Sequence, residues 1–256
     1  MNSLAPSTLD PLIQKLAQHV ELDAADRAAI LALPFTVKTL ERHEFIVREG
    51  EQATQSCVML SGFSVRTKDL ESGARQILSI HMKGDLVDLQ NSLLDIADHG
   101  VEMLTTSKLA LIPRDEMVRL AFARPAIGRA MWIDTLIDAS IFREWIANIG
   151  VRDARTRISH LLCEFAMRMN AAGLANGDRY ELPMSQEQLG EATGLTSVHI
   201  NRTIRGLESD GLIQRASARS IQIGDWQRLA QVGGFDSIYL HLNQQRVGLG
   251  AQPLSA

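Results

Sequence analysis

The stretch that decides the fold of this chain is residues 185–204, which read SQEQLGEATGLTSVHINRTI. Ser185, followed three residues later by Gln188, has the pattern of a capping box at the start of a helix. Leu189 and Ala192 supply the inward face of this helix, and Gly194 is placed to end it. The pattern predicts a short first helix followed by a tight turn.

The second helix, predicted over residues 196–207, has one apolar and one polar face. Thr196 is its N-cap, and its buried face is formed by Ile200, Ile204 and Leu207. The opposite face offers hydroxyl, amide and guanidinium groups, with no acidic residue before Glu208. Such groups match the edge pattern of the major groove of duplex DNA, so this helix is the candidate recognition helix of a helix-turn-helix.

Two short strands, residues 212–214 and 220–223, follow directly and enclose a loop with Arg215 and Arg219. Two helices alone also fit an ordinary helical hairpin with a solvated face, but the added strand pair gives the order of a winged helix. Residues 182–213, LPMSQEQLGEATGLTSVHINRTIRGLESDGLI, resemble the C-terminal module of the CRP/FNR superfamily of bacterial transcription regulators.

The residues predicted to contact DNA are Ser185, Gln186, Thr196, Ser197, Val198, His199, Asn201, Arg202, Arg205, Arg215 and Arg219. The resemblance places Ser197, Val198 and Arg202 at the three positions that often contact bases. Arg202 keeps the chemistry of the family, whereas Val198 stands where the family has a glutamate. The alternative for Arg202 is an ion pair with an acid such as Glu208, and Arg215 and Arg219 are predicted to contact phosphates.

Composition bounds the class of protein. The length of 256 residues indicates two domains, and a hydrophobic fraction of 45% is enough for a core in each. The formal net charge is −4. Residues 151–224 hold nine basic residues, all arginine, against eight acidic ones, so DNA contact depends on local clustering rather than on overall charge. No run of about 18 apolar residues and no secretory signal is present, which predicts a cytoplasmic protein with no membrane partner.

Turn signals divide the chain into parts that together predict an α+β protein. We expect helices in residues 1–34, an antiparallel β-roll of the jelly-roll type in 35–124, a long helix in 125–150, a winged helix-turn-helix in 151–224, and a tail in 225–256. Within these parts, helices are predicted at residues 11–20 and 23–33, and another begins after Asp153. In the tail, we expect a short helix at 225–231, docking of Tyr239, Leu240 and Leu242 on the body, and an unstructured end at 247–256.

The long helix is apolar over a wide face, which one domain is not expected to cover. We therefore predict a homodimer, with an interface formed by Ile127, Met131, Ile133, Leu136, Ile137, Ile141 and Trp145. The order of domains matches the CRP/FNR superfamily, and the resemblance implies a homodimeric sensor that binds an inverted-repeat operator. An activator of this type would also contact RNA polymerase.

The sensor domain departs from the cyclic-nucleotide-binding members of the family. The resemblance places the family's glycine–glutamate pair at Asp88 and Leu89, and its arginine anchor at His99. The hydroxyl residues of the family's long helix fall at Phe142 and Arg143. These five positions are the candidate effector pocket, but without the cationic anchor we expect no cAMP binding and no resident cofactor.

Other chemistries have weaker signals. Cys57 and Cys163 are too few for the family's iron–sulfur cluster, and a packed, inert thiol is the favoured interpretation of Cys163. His43, His81 and His99 leave open a haem-binding sensor or a cupin-like metal enzyme, although they lack the spacing that a metal site needs. We therefore predict a regulator rather than an enzyme. An interaction module with a degenerate DNA-binding domain is disfavoured by Arg202 and by the intact capping signals.

Overall fold

The computed structural model describes residues 7–217 and 219–242, and the chain divides into two compact units between Ala139 and Ser140. The predicted α+β class, with a β-roll, a long helix and a winged helix-turn-helix, is confirmed. The predicted unstructured end, residues 247–256, lies outside the described residues. Each unit is treated separately below.

The first unit contains seven strands in two antiparallel sheets. The strands are β1 (Thr36–Leu40), β2 (Phe45–Val47), β3 (Gln55–Ser61), β4 (Ser64–Asp69), β5 (Arg75–His81), β6 (Gly100–Met103) and β7 (Ser107–Pro113). One sheet has the order β1-β7-β3 and the other β2-β6-β4-β5. Gly62 joins β3 to β4 with a positive φ of 83°, and a Cβ there would lie 2.2 Å from the Ser107 hydroxyl oxygen. Only glycine fits this turn without displacing a strand.

The core of this unit follows the alternation of strand β3. Cys57 and Met59 join one apolar cluster with Val47, Val101 and Leu109. Val58, which points to the other face of the strand, joins a second cluster that includes residues of the flanking helices. The strand is therefore apolar on both faces, as expected for a sheet covered on both sides.

Helices cover the outer face of the β3–β7 sheet. They are α1 (Asp10–Leu16), α2 (Ala24–Leu31) and α3 (Arg114–Ala123). The two predicted N-terminal helices are confirmed, and Asp23 and Asp26 form a capping box at the start of α2. Helix α3 was not predicted, because Pro113 at its N-cap provides no side-chain capping bond.

Helix α4 (Pro125–Val151) is 27 residues long, so it extends about 40 Å. Five of the residues predicted to form the dimer interface are buried within the protomer: Ile127, Met131, Ile137, Ile141 and Trp145. Ile127 and Met131 belong to the core cluster that also contains α1 and α3. The interface prediction is wrong for these five, because a side chain already covered by its own chain has no surface to offer a partner. Leu136 is exposed and Ile133 is half-buried.

The second unit begins with the last turns of α4 and continues with α5 (Ala154–Ala171). Asp153 caps α5 by accepting a hydrogen bond from the Thr156 amide. The domain boundary predicted after residue 150 lies at the last residue of α4, whereas the compact units divide earlier. The earlier division has a physical reason, since Trp145 and Asn148 of α4 donate hydrogen bonds to α5.

The helix-turn-helix module consists of β8 (Arg179–Glu181), α6 (Gln186–Thr193), α7 (Ser197–Ser209), β9 (Ile213–Arg215), β10 (Ser220–Ile223) and α8 (Trp226–Gly233). The wing was predicted with two strands, but the sheet has three, in the order β8-β10-β9. Strand β8 was not predicted, because it has only three residues and pairs with a strand about 40 residues further along the chain.

The predicted docking of the tail is confirmed for Tyr239 and Leu240. Helix α8 packs on α5, and a 3-10 helix, Ser237–Leu240, follows it. The Tyr239 hydroxyl is hydrogen-bonded to His160 and Glu164 of α5, and Leu240 is buried. Leu242 is half-buried.

Candidate nucleic-acid interface and sensor site

The turn between α6 and α7 has the geometry that the sequence predicts. Ser185 and Gln188 exchange the two hydrogen bonds of a capping box, and Gly194 ends α6 in the left-handed conformation with a φ of 67°. The Thr196 hydroxyl accepts from the His199 amide at 3.4 Å. These bonds span three residues or fewer, so they set the direction of α7 locally.

One face of α7 is buried and the other is presented to solvent. Ile200, Ile204 and Leu207 are buried, as predicted. The predicted contact residues on the outer side that are exposed are Thr196, Ser197, Val198, His199, Arg202 and Arg205. No acidic residue lies in the first turn, and Val198 is 77% exposed. A large exposed apolar side chain beside a guanidinium is suited to the mixed apolar and polar edge of a base pair.

Gln186 and Asn201 lie at the junction of the two helices. The Asn201 side-chain amide donates to Gln186 Oε1 at 3.3 Å, and both residues are half-buried. The structure therefore brings these two predicted contact residues together. Each still has polar atoms that this bond leaves for other partners.

The arginines of α7 and the wing differ in their partners. Arg215 donates from Nε and Nη2 to the two carboxylate oxygens of Glu208, both at 2.8 Å. This pair lowers the pKa of Glu208, mainly through the hydrogen bond from Arg215. Arg215 is therefore already engaged in an ion pair, and its predicted phosphate contact stays a prediction. The alternative in which Glu208 pairs with Arg202 is also wrong, and Arg202 has no hydrogen-bond or ion-pair partner among the described residues.

Arg219 is exposed in the wing, where its backbone amide donates to the Ser217 hydroxyl at 3.3 Å and its carbonyl accepts from the Leu182 amide at 2.7 Å. Ser185 is also exposed, but its hydroxyl oxygen caps α6. Of the two predicted phosphate contacts, Arg219 is the more exposed.

The sensor unit contains a buried cation that the sequence analysis did not identify. Arg66 of β4 is 3% exposed, and its Nε and Nη2 donate to the Val87 carbonyl at 3.1 and 2.9 Å. Nη2 also donates to Gln90 Oε1 at 3.3 Å, and Nη1 donates to Asp138 of α4. The sequence gives no local signal of this role. In an alternating strand, a charged residue next to the apolar Val65 is expected to face solvent, and Arg66 fits that pattern. Only the folded chain brings Asp138 beside it.

Asp88 and His99, two members of the predicted effector pocket, are buried, whereas Leu89 is half-buried. Asp88 Oδ1 accepts from the Cys57 amide at 2.9 Å, and burial raises the pKa of this carboxyl to about 6. His99 is hydrogen-bonded to Asp98 at 2.5 Å and to Gln90 at 3.1 Å, and burial lowers its pKa. Burial thus disfavours the charged form of His99, the form that a cationic anchor requires.

Phe142 and Arg143, the other predicted pocket residues, belong to the second compact unit. Arg143 is exposed, and its Nη2 donates to the Ser140 hydroxyl at 2.6 Å. Their predicted contact with an effector stays a prediction.

The other two candidate histidines are hydrogen-bonded, and both cysteines are buried. His43 is hydrogen-bonded to Glu102 at 2.7 Å, and His81 to the Ser79 hydroxyl at 2.8 Å. Cys57 and Cys163 are buried free thiols, and burial raises the pKa of each, which lowers their reactivity. Within residues 7–217 and 219–242, no group of three or more histidine, cysteine or acidic side chains is arranged to hold a metal ion.

The helices of the described residues were also compared with the length and apolar character that a bilayer requires. None of them reaches both.

Comparison with known proteins agrees with this architecture. The family model described as the cyclic nucleotide-binding domain matches residues 37–124, and that of the Crp-like helix-turn-helix domain matches residues 156–232. The transcriptional activator protein FnrL of Cereibacter sphaeroides is 24% identical over 203 residues, which cover 78% of this chain and 81% of that protein. The transcriptional activator protein Anr of Pseudomonas protegens is 25% identical over 231 residues, 89% of this chain and 91% of the relative.

Solved structures show the same arrangement of elements. The structure of FixK2 from Bradyrhizobium japonicum superposes with a TM-score of 0.72 at 25% identity, covering 78% of this chain and 98% of that one. Both halves of the chain, the sensor-type β-roll and the winged helix, thus match the same kind of regulator in the same order. The chain belongs to the CRP/FNR family of transcription regulators.

Proposed function

We propose that this protein is a homodimeric transcription regulator that reads an inverted-repeat operator through α7. One observation carries the proposal. The first turns of α7 are exposed and free of acidic residues, and they end at a guanidinium, Arg202, that has no partner among the described residues. A helix with this face on a helix-turn-helix suits the major groove.

Arg202 is expected to donate to O6 and N7 of a guanine. Arg202→Ala should then weaken binding to the selected operator by about 1–3 kcal/mol and remove the preference at that base pair. Operators are selected from a randomised DNA pool with each protein, and affinities are measured by mobility shift. Arg228→Ala is the matched control, because Arg228 is an exposed arginine on α8, away from the proposed reading face. An unchanged consensus for Arg202→Ala would refute this role.

Arg219 is proposed to contact a phosphate. Arg219→Ala should weaken binding to all DNA sequences alike and lower the slope of log affinity against log salt concentration by roughly one. Arg215→Ala should leave that slope unchanged, because the guanidinium of Arg215 is already paired with Glu208. A reduced slope for Arg215→Ala would show that the ion pair opens on DNA.

The homodimer is proposed to form along an exposed stripe of α4, not along the face predicted from the sequence. The side chains at intervals of four and three residues on this stripe are Trp132, Leu136, Ala139, Arg143 and Ile146. Trp132, Leu136 and Ile146 are 68%, 54% and 72% exposed. Alternating spacings of four and three residues are those of a two-helix seam, and large apolar side chains on it favour burial against a second copy.

Leu136→Asp should convert the dimer into a monomer at micromolar concentration, as measured by sedimentation. Phe122→Asp on α3 is the matched control, since Phe122 is also a large apolar residue, 79% exposed, but lies off the stripe. A dimer would place its two recognition helices about 34 Å apart, one turn of DNA, and so bind an inverted repeat. A wild-type monomer that binds its operator fully would refute the dimer.

Control by cyclic nucleotides is not part of the proposal. The anchor positions hold the carboxyl of Asp88, the apolar Leu89 and His99, whose pKa is lowered by burial, and the buried guanidinium of Arg66 is engaged by Asp138. Calorimetry with cAMP and cGMP should show no saturable heat, and a micromolar dissociation constant would contradict this. The relatives are named transcriptional activators, so contact with RNA polymerase in the cytoplasm is proposed as well.

A further inference from the structure

A hydrogen bond between two side-chain amides joins the helices of the helix-turn-helix. Asn201, the fifth residue of α7, donates from Nδ2 to Oε1 of Gln186, the first residue of α6, at 3.3 Å. Both side chains are half-buried. The two residues are 15 positions apart in the chain, so the bond forms only because the turn brings the start of α6 beside α7.

The backbone on both sides of this pair is held in place. The capping bonds of Ser185 and Thr196 fix the first turns of α6 and α7. The turn lies so close to α6 that a Cβ on Gly190 would be 2.4 Å from the Leu195 carbonyl oxygen. The fold therefore sets the direction of the Asn201 amide before any DNA is bound, which lowers the entropy lost on binding.

The bond leaves a defined set of polar atoms on Asn201. A carboxamide nitrogen carries two hydrogens, and Gln186 Oε1 accepts only one of them. The second N–H and Oδ1 have no partner among the residues that the structure describes. A donor beside an acceptor complements adenine in the major groove, where N7 accepts and the N6 amino group donates. Guanine offers two acceptors there, cytosine a donor and thymine an acceptor, so each of these bases satisfies only one of the two atoms.

Gln186 controls which atoms Asn201 offers to a base. Gln186 Nε2 has no partner among the described residues, and the first helix of a helix-turn-helix crosses the DNA backbone. A phosphate oxygen only accepts hydrogen bonds, so it takes a donor, Nε2, and leaves Oε1 facing Asn201. A phosphate bound by Gln186 thus selects the arrangement in which the nitrogen of Asn201 faces α6 and its remaining N–H and Oδ1 face the base.

We propose that Gln186 and Asn201 act as one reading unit: Asn201 donates to N7 and accepts from N6 of an adenine, and Gln186 is the positioning residue that orients it from a phosphate. The inference rests on the proposed function and names a second base pair of the operator. Asn201 lies on the flank of α7 that faces α6, whereas Arg202 lies about 100° further around the helix. The adenine is therefore read separately from the guanine of Arg202.

The test compares operators selected from a randomised duplex pool by the full-length wild type and by each variant. Affinities for the selected operator and for its single-base changes are measured by mobility shift. We expect one adenine in each half-site whose replacement weakens wild-type binding about 5- to 150-fold, as for a bidentate contact. Asn201→Ala should remove this preference and keep the guanine that depends on Arg202. Gln231→Ala, an exposed amide on α8, is the matched control and should return the wild-type consensus.

Two substitutions of Gln186 separate orientation from affinity. Gln186→Ala removes the acceptor for Asn201 and should lower the discrimination for adenine about 2- to 10-fold. Gln186→Glu keeps an acceptor for Asn201, but a carboxylate cannot donate to a phosphate and is repelled by it. This variant should therefore keep the adenine preference and bind all sequences more weakly.

The inference is overturned if the wild-type consensus contains no such adenine, or if folded Asn201→Ala and Gln186→Ala return it unchanged, because the pair then only joins two helices. Loss of the adenine preference in Gln186→Glu overturns it as well. Calorimetry establishes that each variant is folded. An operator that depends on Arg202 but not on Asn201 refutes only the reading unit, whereas failure to select any operator refutes the proposed function itself.

Discussion

Removal of the Tyr239 hydroxyl tests how the C-terminal segment is held on the DNA-binding unit. Glu164 of α5 is 1% exposed, and burial raises its pKa. Its carboxylate accepts from Trp145 Nε1 at 3.0 and 3.1 Å, from the Tyr239 hydroxyl at 2.8 Å, and from Arg168 at 3.5 Å. One buried carboxylate thus joins the end of α4, α5 and the segment after α8.

Tyr239→Phe keeps the ring, which stacks near His160 with centroids 5.8 Å apart. It removes one donor from Glu164 and leaves His160 Nε2 without its 3.1 Å partner. A hydrogen bond to a charged group contributes about 1.5–3 kcal/mol, so we expect the free energy of unfolding of this unit to fall by that amount.

The assay is urea unfolding followed by tryptophan fluorescence in a Trp132→Phe background. The chain has three tryptophans, so Trp145 and Trp226 then report on the second unit alone. Tyr180→Phe is the matched control, because the Tyr180 hydroxyl donates to a neutral acceptor, the Leu162 carbonyl, at 3.1 Å. Its expected loss is about 1 kcal/mol. If Tyr239→Phe lowers the free energy of unfolding by no more than this, the hydrogen bond from Tyr239 to the Glu164 carboxylate does not have the proposed strength.

Two further changes test the packing of α5 against α8. Burial and the positive charge of Arg152 lower the pKa of His160 from 6.5 to about 4, although the carboxylate of Glu144 and the backbone of Gly233 act in the opposite direction. A folded-state pKa below the unfolded one gives stability that is present above pH 6.5 and is lost as the pH falls, by about 2 kcal/mol between pH 7 and pH 5. His160→Gln should therefore make the thermal unfolding temperature less dependent on pH between pH 7 and pH 5. An unchanged dependence on pH would contradict the burial of a neutral imidazole. A Cβ on Gly233 would lie 2.7 Å from the His160 backbone nitrogen, so Gly233→Ala should destabilise the unit by about 1–3 kcal/mol. Gly150→Ala is the control, because a Cβ there meets no atom within 4 Å, and it should be neutral or stabilising. Both changes are measured by calorimetry.

Tertiary structure decided the partners of the charged residues. Arg66, Arg215 and Glu208 look like solvent-facing residues in a one-dimensional pattern. The first is bound to Asp138, which lies 72 positions away, and the other two bind each other across the end of α7 and the start of the wing. The sequence therefore did not reveal that the guanidinium of Arg215 is paired with Glu208. An ion pair depends on distance in space, which the order of residue types does not contain.

The same limit applies to the long helix. The sequence predicted a wide apolar face, but periodicity does not say which of its residues the chain covers itself. Ile127 and Met131 pack into the first core, whereas Trp132 and Leu136 remain exposed. Short elements such as β8 were missed because they are stabilised by pairing with a distant strand rather than by their own residues.

The sequence by itself determined the helix-turn-helix, because its signals act within three or four residues. Ser185 with Gln188, the left-handed Gly194, and Thr196 set the ends of α6 and α7, and the spacing of Ile200 and its neighbours set the face of α7 that is buried. Only the tertiary structure decided that Arg202 lacks a partner among the described residues, that Asn201 bonds to α6, and which stripe of α4 stays exposed. Caps and turns depend on contacts between near neighbours in the chain, whereas sites and interfaces depend on contacts that form only when distant segments pack together.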